Sequence, residues 1–229
     1  MPRRERPATT ERSEHWLRFA VGERTESFND RIKVLFGWPP SEKIEWLSPI
    51  HSDDFAEYYD REFLNRVGIS ALDVPLHDFW PASGPRWDGL AKTASNRIIL
   101  VEAKAYIGES VSFLRAKDTN SIDKIRAAFV KAKKAFRATA EAGWEGPFYQ
   151  YANRLAHLYF LRELNRIDAN LLFLYFADAP DVPKSDLCTA AQWEGAIKLT
   201  NKALGLGAHT YEGNVKSLIW SVPELLGGK

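Results

Sequence analysis

The chain has one cysteine, Cys188, in 229 residues. A lone thiol excludes an internal disulfide and leads us to expect a reducing, cytoplasmic setting. Long apolar runs are missing too: the longest, "ANLLFLYFADA", is broken by Asp178 and Pro180, short of the roughly 18 residues a membrane helix needs. The opening "MPRRERPATTERSEHW" has no apolar core, so it is not expected to be a signal peptide. Neither sign of charge prevails, with 31 Lys and Arg against 30 Asp and Glu. A globally basic nucleic-acid binder is thereby excluded, and any such contact must use a local patch. His15, His51, His77, His157 and His209 have no zinc-like spacing. "GLGAH" lacks the lysine of a phosphate loop, and no serine sits in a nucleophile elbow.

Eight Trp and thirteen Phe supply the large apolar surface of a sizeable core. Residues 1–12 are charged, contain Pro2 and Pro7, have almost nothing to bury and are expected to be disordered. A helix is expected from Ser13 to Phe36, weakened at Gly22 and stopped by "GWPPSEK". "SDDFAEYYDREFLNRVG" reads as a second helix with Phe55, Tyr59, Phe63 and Val67 as its stripe and Gly68 as its stop. Three strand candidates follow: "ALDVPLHDFW", "RWDGLAK" and "NRIILVEAKAY". Residues 121–141 make an amphipathic helix, with Ile122, Ile125, Phe129, Ala132 and Phe136 on one stripe. Its opposite face carries Lys124, Arg126, Lys131, Lys133, Lys134 and Arg137. "YQYANRLAHLYFLREL" reads as a buried helix, "NLLFLYFADAP" as a core strand, then come a helix and the strand "VKSLIWSVP". Strands leading into long helices predict a mixed sheet with helices on both faces.

The chemistry lies in residues 85–106, "PRWDGLAKTASNRIILVEAKAY". Alternate side chains of a strand share a face, so Leu100, Glu102, Lys104 and Tyr106 lie on one side, and Val101, Ala103 and Ala105 on the other. A Glu102–Lys104 ion pair accounts for one carboxylate and predicts Asp88 far away. A hairpin through "KTASN" instead brings Asp88, just before Gly89, beside Glu102. Two facing carboxylates repel in a partly buried site and become comfortable around a divalent cation. Oxygen-only ligands select Mg²⁺ or Mn²⁺.

"WDG" followed by "ILVEAKA" resembles the PD-(D/E)XK phosphodiesterase superfamily, over about residues 52–180. The proline usual directly before the aspartate is replaced by Trp87, with Pro85 two positions earlier. The resemblance implies an α/β, restriction-endonuclease-like mixed-sheet core flanked by helices in residues 51–229. Residues 1–50, without a family counterpart, would form an N-terminal helical extension. It also implies a metal-dependent nuclease that hydrolyses DNA phosphodiester bonds with a metal-activated water. Asp88, Glu102 and the Ala103 carbonyl would hold Mg²⁺ or Mn²⁺. Glu57, with Glu62 as the alternative, would add a helix carboxylate through water or at a second ion. Lys104 would contact the attacking water and the scissile phosphate. Physical chemistry favours a charged Lys104: bringing an ordinary lysine from about 10.4 to near 7.5 costs roughly 4 kcal/mol, and adjacent carboxylates push the other way.

Gln150, Arg154 and His157 share a stripe of the buried helix. Gln150 and Arg154 would lean toward the site and its substrate, or Arg154 would satisfy a buried acid. The basic face of residues 121–141 follows a phosphate backbone or is solvated. Beside the nuclease stands a catalytically silent relative that binds nucleic acid or a protein partner; a monomer and a homodimer are both open.

Overall fold

The computed structural model describes residues 3–4, 10–139, 143–208 and 210–227. Its elements run β1 (Arg3–Arg4), α1 (Arg12–Gly22), α2 (Thr25–Phe36), β2 (Ile44–Ser48), β3 (Glu57–Tyr58), α3 (Asp60–Arg66), α4 (Leu76–Phe79), β4 (Gly89–Thr93) and β5 (Ile98–Lys104). They continue with α5 (Thr119–Ala135), α6 (Tyr149–Tyr159), β6 (Ala169–Ala177), α7 (Ala190–Ala203), β7 (Val215–Ser221) and α8 (Val222–Leu225). The main sheet is mixed, in the order β2-β4-β5-β6-β7: β2, β4 and β5 form an antiparallel meander, and β6 and β7 join parallel to β5.

Both sheet faces are covered. On one, Leu90, Leu100, Phe173 and Tyr175 pack with Phe129 of α5, Leu155 of α6 and Trp193 of α7. On the other, Val101, Ala103, Leu172 and Leu174 meet Leu17 and Val21 of α1, Phe28 and Ile32 of α2, and Leu225 of α8. A strand covered on both faces needs apolar residues throughout, and all nine residues of β6 are buried. Among the described residues no helix is long and apolar enough to cross a membrane.

Several expected elements shift. The helix over 13–36 divides after Gly22, so that α1 and α2 can each turn a short stripe toward the sheet. Gly37, at φ +67°, ends α2 in the left-handed conformation, and Trp38 N–H returns to the Lys33 carbonyl at 2.8 Å. Residues 12–48, set apart above as an extension, supply a helical layer and the edge strand β2 of the same sheet. "ALDVPLHDFW" is not a strand: Pro75 opens the single turn α4, which drops Phe79 into the core. The expected helix over 52–68 begins only at Asp60, because residues 51–55 turn sharply, with Asp54 and Phe55 at positive φ, and residues 57–58 are extended. Helix 121–141 is α5, ending at Ala135; residues 140–141 lie outside those described.

Candidate active site

The β4–β5 hairpin builds the floor of the site. Its turn closes with Thr93 N–H on the Arg97 carbonyl at 2.9 Å and with Asn96 in the left-handed region at φ +65°. The register pairs Gly89 with Val101, so one step further sets Asp88 opposite Glu102 on the same sheet face. A Cβ on Gly89 would stand 3.1 Å from Val101 Cβ and 3.4 Å from the Trp46 ring, so the residue before it sits in a tightly packed stretch of the hairpin where a side chain would make its neighbours give by a few tenths of an ångström.

Asp88 Oδ2 accepts the Ala103 N–H at 2.8 Å, just past the last β4–β5 pair. In a β-strand a residue's N–H and C=O point to the same side, so the Ala103 carbonyl also faces the Asp88 edge. Glu102, 3% exposed, is held from two sides. Lys104 Nζ donates to Oε1 at 2.5 Å, and Arg154 donates to Oε2 from Nε at 2.7 Å. Arg154 is fixed in turn, with Nη1 donating to Asn153 Oδ1 and Nη2 to the Arg86 carbonyl, both at 2.7 Å, and its guanidinium 4.9 Å from the centre of the Trp87 ring.

These neighbours divide the two carboxylates. Burial raises Asp88 well above the usual carboxylate range, and the charges of Glu102 and Glu57 add to the rise. Burial works the same way on Glu102, but Arg154 and Lys104 outweigh it and hold Glu102 below that range. Burial alone would lower Lys104; Glu102 and Asp88 overcome it and raise the lysine. Lys104 therefore stays charged, and Asp88 is the carboxylate short of a cation.

Glu57 is corrected in position. It sits in β3 rather than on a helix, 4% exposed, and its charge acts on Asp88 across the cleft. Glu62 is on α3, outside the cleft. Gln150 and Arg154, at the start and middle of α6, do reach the cleft, which encloses about 790 Å³. Of the two readings of Arg154, the geometry is that of a partner to a buried acid, and the acid is Glu102 itself. Sequence reasoning missed Asn153, which orients Arg154; its one signal is a polar residue directly before Arg154 on a largely buried helix. The basic face of α5 is partly spent, since Lys124 bonds the His77 carbonyl at 2.6 Å and Arg126 grips Glu145 at 3.0 Å.

His157 turns away from the cleft, 1% exposed among Phe79, Trp80 and Trp87, with Nδ1 2.8 Å from the Asn153 carbonyl. Burial lowers its pKa to about 3. Below pH 6.5 the unfolded chain takes up a proton that the folded protein refuses, so stability falls as pH drops from about 6.5 toward 3. The loss approaches about 1.4 kcal/mol per pH unit. Urea denaturation of wild type and His157→Gln across that range checks this: the variant should lose that part of the slope.

The donors fit a hard divalent ion. Asp88, Glu102 and the Ala103 carbonyl offer only oxygen, and Mg²⁺ is usually held by one or two carboxylates, with water completing its shell. Among the described residues no three His, Cys, Asp or Glu side chains stand close enough to enclose an ion. No family model, no curated protein and no solved structure matches the chain.

Proposed function

We propose that the chain is a metal-dependent nuclease of the restriction-endonuclease-like kind, acting on DNA phosphodiester bonds. One observation carries the reading: Asp88 and Glu102 share a sheet face at the bottom of an open cleft, with the Lys104 ammonium beside them. An isolated ion pair would leave Asp88 elsewhere. The architecture adds support, since a mixed sheet covered by helices on both faces is the kind of core that the resemblance implies.

Asp88, Glu102 and the Ala103 carbonyl would hold Mg²⁺ or Mn²⁺, with Glu57 adding negative charge in the same cleft. Bound there, the ion supplies Lewis-acid polarisation of a phosphoryl oxygen and acidifies a water. The chain's own groups do the rest. Lys104, kept protonated, draws a non-bridging phosphate oxygen toward the floor and offsets the charge that grows on it in the transition state. Arg154 holds Glu102 in one rotamer, so that its lone pairs stay aimed, and Gln150 lies on the substrate side of α6.

A second reading, a silent member that binds nucleic acid without cutting it, is favoured by the fact that both Glu102 oxygens already accept from cations. A cleavage panel separates the two: single-stranded, duplex and branched DNA, and RNA, each with Mg²⁺, Mn²⁺ or EDTA. The nuclease should cut with metal and not with EDTA, and Lys104→Ala should lower the rate about 10²–10³-fold, the usual cost of one transition-state donor. Absence of metal-dependent cutting on every substrate leaves the silent reading.

A further inference from the structure

The wall of the cleft is lined by an extended ribbon, residues 111–117, running between the short turn Ile107–Ser110 and α5. Ser112 N–H bonds the Pro147 carbonyl at 2.9 Å and Leu114 N–H the Glu145 carbonyl at 3.1 Å, which fixes the ribbon against the start of α6. Its side chains alternate. Leu114 and Ala116 pack on the core, while Val111, Phe113, Arg115 and Lys117 point outward. Phe113 is 56% exposed and stacks on no ring among the described residues. Neither Arg115 nor Lys117 pairs with a carboxylate among the described residues, unlike Lys104 and Arg154 below them.

An exposed ring is thus followed at strand spacing by two cations without a carboxylate partner among the described residues, about 6.5–7 Å apart along the chain. We infer that this ribbon is a rail for a single-stranded nucleic-acid segment: Phe113 stacks one base, and Arg115 and Lys117 take the phosphates that follow. Every base has a π-face and every nucleotide a phosphate, so such a rail tolerates any sequence. In a duplex the bases are already stacked, and Phe113 would find no partner. The inference rests on the nuclease reading only for the direction in which the strand leads, toward Asp88 and Lys104; the rail itself needs no catalysis.

The test is fluorescence anisotropy in EDTA with fluorescein-labelled 15-mers: oligo(dT), oligo(U) and a blunt mixed-sequence duplex. Wild type should bind single strands at least tenfold tighter than the duplex. Phe113→Ala should weaken single-strand binding about 5- to 150-fold, the range for loss of one stacked base, Phe113→Tyr should restore it, and duplex binding should not move. Arg115→Gln with Lys117→Gln should flatten the salt slope by about 1.4, two released contacts on a single strand. A preference for oligo(dT) or oligo(U) names the strand chemistry and supports the rail in either case. Equal binding of strand and duplex, no binding of either, or a Phe113→Ala variant that binds like wild type overturns it. Single-strand binding lost in Phe113→Ala with no metal-dependent cutting would keep the rail and remove the nuclease. Cutting that survives Phe113→Ala with unchanged strand affinity would do the reverse.

Discussion

Asp88→Asn should raise the melting temperature of the ion-free protein and erase the rise that Mg²⁺ or Mn²⁺ produces in wild type. Without an ion, Asp88 is largely desolvated and faces Glu102 and Glu57, so its ionisation works against folding. Asparagine keeps an oxygen for the Ala103 N–H and removes the charge. At an ion concentration a hundredfold above Kd, wild type should gain about 2.7 kcal/mol, or about 5–11 °C in a chain of this size. The variant should gain nothing. The pH dependence carries the same signature. Between the ordinary aspartate value near 3.9 and its raised one, Asp88 keeps a proton that the unfolded chain has released. Ion-free stability therefore falls as pH climbs through that interval, and the asparagine variant loses that fall. Scanning fluorimetry of both proteins, with and without ion, reads all of this. Equal shifts in the two would remove Asp88 from the metal site.

Arg154→Met should be the costliest single change on the cleft floor. It strips Glu102 Oε2 of a guanidinium in a place where both side chains are under 5% exposed, and breaking one side of a buried pair costs about 3–5 kcal/mol. Lys104 still holds Oε1, which argues for the lower end. The expected fall in Tm is about 6–12 °C. Adding Glu102→Gln should recover part of it, because the stranded carboxylate is removed, while Lys104 loses its own partner and keeps the recovery incomplete. Urea denaturation of wild type, both single variants and the double variant gives the coupling energy. Additive losses would mean that Arg154 matters through its packing on Trp87 alone.

The parts of the site that sequence reveals are those set by strand alternation. Glu102 and Lys104 had to share a face, and the turn residues after Lys92 made the approach of Asp88 legible. What escaped depended on distant contacts. Strand β2 is five residues long, and only its pairing with β4 and the bond from Trp46 Nε1 to Asn29 Oδ1, 2.9 Å, make it an edge. Glu57 lies in a segment whose periodicity suits a helix, yet positive φ at Asp54 and Phe55 breaks it two residues earlier. Residues 12–48 accordingly read as an extension, although their helices cover one face of the sheet and β2 supplies its edge strand. Arg154 was visible as an anomaly on an apolar helix, but no local pattern could say which acid it would find.

The two sides of the cleft are built to different tolerances. A slip of one residue in β5 would bury Glu102 and Lys104 against Leu17 and Phe28 and expose Ala103, so the acidic floor admits a single alignment. The ribbon opposite is anchored by main-chain bonds at Ser112 and Leu114 and leaves Phe113, Arg115 and Lys117 unconstrained by the core. Substitutions on the ribbon can therefore change that wall of the cleft without disturbing the acidic floor.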